Sequence, residues 1–251
     1  MNFLVSILFA SFISWGFSQV KDRQPDSIEL LALNQEDEKL YHADKVVLEK
    51  IWEKLKTGLK YADLSKEEQE LLDNQVETEE SYWDIIGGGC SWYCAGGPKE
   101  VSASSFLVAQ GENEYYPENA HDLNYEYAWA EGVAGYGIGE YLLYTFEGAS
   151  PRITEIKVVN GAVLNEETYK NNARVKKLKL SYNDEVIAIL NLKDIRGTQS
   201  FKFDAIGFAD RTNLKNAKDW TLKFEILEVY KGLKFQNTVI SEIYFDGIDH
   251  H

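Results

Sequence analysis

The sequence predicts a mainly β fold, an antiparallel sandwich or jelly roll preceded by a short α-helical segment. Three observations carry this. After Gly87 the chain breaks into seven short runs of β-favouring residues divided by turn residues, with no helical period between them. Before that point the apolar residues recur at a helical spacing instead. The β-like stretch, about 160 residues, is ample for one hydrophobic core.

The elements follow in chain order. MNFLVSILFASFISWGFSQ contains no charged side chain. Residues 4–17 are apolar apart from serines, which suits a secretory signal core and falls short of the roughly 20 residues a membrane helix needs. Residues 1–18 are therefore read as a signal peptide cleaved after Ser18. The mature protein is then expected in the periplasm, on the cell surface or outside the cell, without stable membrane insertion. Within 36–59, Leu40, Val47, Leu48, Ile51, Trp52, Leu55 and Leu59 recur every three or four residues, the mark of an amphipathic helix ending near Gly58. Ser65 followed by Glu68 is a capping box opening a second helix. The two read as an αα-hairpin filling residues 19–86. Residues 87–99 form a cysteine-containing linker. Strands are expected at 141–146, 153–159, 175–182, 186–192, 199–203, 220–230 and 239–245, with Asn160-Gly161 and Asn183-Asp184 as turns. Residues 247–251 are a tail.

A formal charge of −15 repels phosphate backbones and excludes nucleic acid as a partner, while leaving carboxylates available for Ca²⁺. The loop GVAGYGIGE lacks the G-x-G-x-x-G spacing and runs into a strand, so it is no phosphate cradle. No P-loop, H-E-x-x-H, G-x-S-x-G or Cys/His pairing is present, and the chain reads as non-catalytic. Cys90 and Cys94 in GCSWYC are the two cysteines, and with four histidines they do not make a zinc set. Their spacing is not C-x-x-C. In an oxidising compartment a Cys90–Cys94 disulfide is expected, its tight loop permitted by flanking glycines.

Six segments then add up. ASSFL (103–107), ENAHDLNYEYAWAEGVAGYGIGEYLLYTF (118–146), VVNG (158–161), YKNNARVKKLKLSY (169–182), LEVYKG (227–232) and TVISEIYF (238–245) resemble, in order, the NADase-type glycan-binding domain. This translocation domain of a streptococcal NAD glycohydrolase is a discoidin-like jelly roll related to coagulation-factor C-type domains and many carbohydrate-binding modules. The resemblance covers 100–246 and implies a discoidin-like β-sandwich that binds an exposed glycan through loops at one end. It points to Trp129, Glu131, Tyr136, Asn160, Tyr169, Asn171, Asn172 and Arg174 as ligand-binding residues, with Tyr230 nearby. Core packing is the other reading of Trp129 and Tyr230, and loop-tethering through carbonyls is the other reading of Arg174. Asp122, Asn124 and Glu242 match a structural Ca²⁺ site, or else an ordinary Asx-turn beside a surface glutamate. GCSWYC resembles the segment that precedes this domain in exported bacterial proteins, a staple at the domain entrance. Two departures stand out. Ala173 interrupts the family's N-N-R-x-K, and Ala162 replaces the tyrosine of its Asn-Gly-Tyr. The streptococcal hydrolase domain has no counterpart, so NAD cleavage is not implied. The expected partner is a cell-surface or extracellular glycan. Alternatives are a protein-interaction or surface-attachment module, or a hydrolase with its site between helices and sandwich.

Overall fold

The computed structural model describes residues 20–75, 81–85, 92–111 and 113–249. The signal peptide, and Cys90 of the expected disulfide, lie outside these residues. Cys94 is exposed.

The chain starts with β1 (Lys21–Arg23) and β2 (Ser27–Leu30), followed by α1 (Gln35–Lys56) and α2 (Lys66–Asp73). Then come β3 (Glu100–Ala103), β4 (Trp129–Ala130), β5 (Tyr141–Phe146) and β6 (Ile153–Asn160). A short α3 (Glu166–Asn171) leads into β7 (Ala173–Tyr182), β8 (Glu185–Asn191), β9 (Gly197–Ile206), β10 (Trp220–Tyr230) and β11 (Thr238–Gly247). One layer runs β2-β9-β6-β11 and the other β3-β5-β10-β7-β8-β1. β11 joins them at a corner. Its first residues, Thr238 and Val239, pair in parallel with β7, and from Glu242 onward it pairs antiparallel with β6.

Alternation fixes which faces meet. In β5, Leu142, Tyr144 and Phe146 point inward, and in β10 Trp220, Leu222, Phe224 and Ile226 do the same. From the other layer Phe245 of β11 meets Tyr144 and Phe146 edge-on, at 5.3 and 5.4 Å between ring centroids. Phe146 stacks on Trp220 at 4.1 Å. β7 and β8 are joined through Asn183 and Asp184 at φ 48° and 66°, the left-handed pair that a two-residue hairpin turn requires.

The predicted helices form, and α2 has the expected capping box. Asn34 Oδ1 accepts the backbone N–H groups of Glu36 and Asp37, each at 3.0 Å, and Ser65 with Glu68 closes the capping box of α2. Lys54 pairs with Glu68 at 2.6 Å, tying the hairpin together. Trp83 Nε1 donates to Glu38 at 3.0 Å, and Asp84 bridges to Asn124, so residues 81–85 link α1 to the sandwich. Among the described residues no helix is long and apolar enough to cross a membrane.

Three expectations need correction. Residues 19–86 are not helical throughout, because β1 and β2 precede the hairpin. KDRQPDSIEL has no clear alternation, and its strands form by pairing with sheet edges. β1 runs parallel to β8 and β2 antiparallel to β9, so one strap extends both layers. Residues 87–99 are not merely a linker, because Trp92 is buried in the core and donates from Nε1 to Arg152 O at 3.2 Å. The β region also contains a helix, α3, whose N-cap Asn165 accepts Thr168 N at 2.9 Å.

Candidate functional site

At one end of the sandwich, residues 107–110 and 113–115, residues 125–130, the turn into α3 and the start of β11 enclose a groove of about 410 Å³. Its floor is small and apolar. Ala130 faces Val239 across the β4–β11 pairing, and Ala162 packs against the same cluster. Tyr115, Tyr125, Tyr127 and Phe235 supply aromatic walls, with Tyr127 49% and Phe235 44% exposed. Hydrogen bonds hold the frame. Ser241 donates to Gly161 O at 2.7 Å, Thr168 Oγ1 to Ala162 O at 3.1 Å, and Asn119 Nδ2 bridges Glu114 O and Ala128 O at 2.9 and 3.4 Å. Gln110 and Asn113 pair through their backbones at the rim. Their side-chain amides bond to no other described residue, and neither do the Tyr115 and Tyr127 hydroxyls. Such a surface can stack on the apolar C–H face of a ring while amides, hydroxyls and carboxylates meet polar substituents.

Of the eight residues expected to bind ligand, Asn172 lines this groove among those described. Its side-chain amide donates to Thr168 O at 2.9 Å, capping α3. The others serve different ends. Trp129 is fully buried and donates to Ser105 O at 2.9 Å, so it packs the core. Glu131 is also fully buried. Its carboxylate accepts Thr238 N at 3.1 Å and Val133 N at 2.9 Å, and burial raises its pKa. Gly137, at φ +63°, sits directly over this carboxylate, where an added Cβ would come within 2.3 Å of Glu131 Cγ. Tyr136 is half-buried, with Lys231 Nζ 5.5 Å from its ring and its carbonyl accepting Thr238 Oγ1. Asn160 crosses between layers, bonding both the N–H and the C=O of Val175 at 2.8 and 2.7 Å. Asn171 contacts Glu167 at 3.4 Å, and its carbonyl accepts the N–H of Phe235. Tyr230 donates to Leu192 O at 3.1 Å.

Arg174 and Tyr169 belong to a second hollow of about 390 Å³. The Arg174 guanidinium grips Asp194 with two nitrogens, at 3.0 and 2.7 Å, and reaches Asn172 O and Lys231 O with a third. Tyr169 OH donates to the same carboxylate at 3.0 Å. Burial, then the Asp194 charge, holds the phenol well above its usual pKa. This closed network tethers loops, as the carbonyl-bonding reading of Arg174 expects.

The three calcium candidates do converge. Asn124 N donates to Asp122 Oδ1 and to Glu242 Oε1, both at 3.0 Å. Glu242 is fully buried rather than a surface residue, and its Oε2 has no hydrogen-bond partner among the described residues. Burial, then contact with the Asp122 carboxyl, pushes the Glu242 pKa well above the usual range. The buried Glu242 carboxylate, set beside the carboxyl of the more exposed Asp122, must hold a proton or face a cation, so the two fit a hard cation. The Asn124 side chain is committed elsewhere, donating to Asp84 at 2.7 Å and accepting Glu126 N at 2.8 Å. Among the described residues no three His, Cys, Asp or Glu side chains gather as a metal site, so amide or carbonyl oxygens would have to complete the shell.

The groove-forming aromatics were missed because EYY and NYEY give no periodic signal. Loop aromatics beside amides, in 110–116 and 124–127, were the available hint.

No curated protein matches the chain in sequence. Among solved structures, a CBM32 module from Clostridium perfringens in complex with GalNAc-β-1,3-galactose aligns over 59% of this chain and 94% of its own, at 15% identity and TM-score 0.41. A CBM32 module of a family 31 glycoside hydrolase from the same organism aligns over 58% and 88%, at 16% and 0.40. The paired CBM32 domains of its ZmpB protein, in complex with GalNAc, align over 61% and 35%, at 15% and 0.42. The NAD glycohydrolase translocation F5/8 type C domain matches residues 92–246, a span that begins at the buried Trp92 and ends in β11. This chain belongs to that family.

Proposed function

We propose that this is an exported, non-catalytic protein whose β-sandwich binds carbohydrate in the groove at one end. The observation that carries this reading is the groove itself, where Tyr115, Tyr127 and Phe235 stand beside the uncommitted amides of Gln110 and Asn113. Export rests on the apolar N-terminal run, and carbohydrate as ligand also rests on the resemblance. A structural Ca²⁺ held by Asp122 and Glu242 would neutralise the buried Glu242 carboxylate and fix the 122–126 turn, whose Asn124 is 118 residues away in sequence from Glu242. The ion would order the loop that carries Tyr127 and has no chemical step to perform.

The test is a glycan array on the protein with Ca²⁺ and again with EDTA, followed by calorimetry on any hit. Tyr127→Ala is expected to weaken binding about tenfold, since one stacked aromatic contributes roughly 1–1.5 kcal/mol. Its melting temperature should stay unchanged, because the side chain is half exposed. Unaltered affinity in Tyr127→Ala, Tyr115→Ala and Phe235→Ala alike would reject the groove. A protein-docking role has one observation in its favour, the exposed Leu40, Val46, Val47 and Trp52 on α1. Loss of a captured partner on Trp52→Ser, with sugar binding intact, would support that role.

A further inference from the structure

We infer that the groove selects uncharged saccharides and rejects acidic ones. The inference rests on the carbohydrate reading of the groove and goes on to the charge class of its ligand.

Two carboxylates, Glu114 and Glu126, line the groove, and the described lining contains no Lys, Arg or His. They come from different loops, and both loops are fixed. Asn119 Nδ2 bonds Glu114 O on one side and Ala128 O on the other, at 2.9 and 3.4 Å. Glu126 N donates to Asn124 Oδ1 at 2.8 Å, locking the second loop to the turn that reaches Glu242. Tyr116 OH donates to Glu114 Oε1 at 3.5 Å. Lys234, whose ammonium caps the Phe235 ring at 5.1 Å, stands outside the lining. In the other hollow Lys170 is paired with Glu166 at 3.1 Å, and Arg174 with Asp194.

A neutral sugar gains from this arrangement. Its hydroxyls donate to carboxylates, and those charge-assisted bonds are stronger than bonds between neutral groups. A sialic acid, uronic acid or sulfate would instead bring a negative charge within a Debye length of two fixed negative charges, with no cation in the lining to offset it. The net charge of −15 adds a repulsive field of the same sign.

The experiment is a set of matched pairs presented to the full chain, with neutral oligosaccharides beside the sialylated and sulfated forms of the same oligosaccharides. The acidic member of each pair should bind about fivefold or more weakly at low ionic strength, and the gap should narrow in 0.5 M NaCl as exposed charges are screened (about 3 Å of Debye length at 1 M). The double variant Glu114→Gln, Glu126→Gln should raise affinity for the acidic member while its melting temperature stays put, because both side chains are exposed. Equal or tighter binding of the acidic members overturns the inference and leaves the carbohydrate reading standing. Discrimination that the double variant does not relieve also overturns it. Silence toward both members, from folded protein, rejects the carbohydrate reading and this inference with it.

Discussion

At the scale of single residues, burial decides what each polar side chain can do. Arg174 has the motif position of a ligand contact, yet the residue is 6% exposed and all three guanidinium nitrogens are engaged by Asp194 and two carbonyls. Arg174→Ala leaves the part-buried Asp194 carboxylate without its cation and with the Tyr169 hydroxyl as its remaining donor in this network. The expected cost is about 3 kcal/mol of stability, read by urea denaturation, with sugar affinity per folded molecule unchanged. Lysine should not rescue it, because a single ammonium cannot reproduce the two-nitrogen grip. His121 gives a second residue-level expectation. Its Nδ1 lies 2.8 Å from Ile243 O among the rings of Tyr93, Tyr144 and Phe245, and burial lowers its pKa from the ordinary 6.5. A depressed histidine binds its proton more readily in the unfolded chain. Stability is therefore lost as pH falls below about 6.5, and regained as pH rises through that window. A melting-temperature profile that His121→Gln flattens between pH 5 and 6.5 would bear this out, whereas parallel profiles would assign the acid response to other groups. Asn160 and Glu131 teach the same lesson, since both spend their polar atoms on backbone N–H or C=O groups.

At the scale of elements, the strands with clean alternation were legible. Residues 141–146 and 220–230 were expected where β5 and β10 lie, because apolar side chains at every second position must face one core. The strands that were not legible, β1 to β4, are two to four residues long and owe their shape to a partner. β1 and β2 show this most clearly, being strands because β8 and β9 offer unpaired edges. Asp26 reinforces the strap, donating to Ser200 O at 2.8 Å and accepting Lys202 N at 2.7 Å. Removing residues 20–33 should uncover both edges. Amide exchange in β8 and β9 is then expected to speed up while β5 and β10 stay protected. Unchanged exchange across all four strands would show that the strap is dispensable. α3 escaped notice because six residues hold too few apolar positions for a period to emerge, although Asn165 marked its start.

At the scale of the whole molecule, the sandwich gathers residues far apart in sequence. Asp122, Asn124 and Glu242 meet although 118 positions separate the last two. If Ca²⁺ occupies the pair, saturation at a hundred times its Kd should stabilise the fold by about 2.7 kcal/mol, equivalent to a rise of roughly 5–10 °C in melting temperature. Glu242→Gln should abolish that response. A melting temperature indifferent to both Ca²⁺ and EDTA would mean that a shared proton stabilises the pair instead. Sequence alone was enough for the β class, the helical hairpin with the capping box of its second helix, and the family, because alternation, capping and ordered motifs are local properties. Tertiary structure decided where the groove lies and which residues line it. A side chain's role depends on what other segments leave uncovered, and the folded loops buried Trp129 and Glu131 while leaving Tyr127 and Phe235 open to solvent.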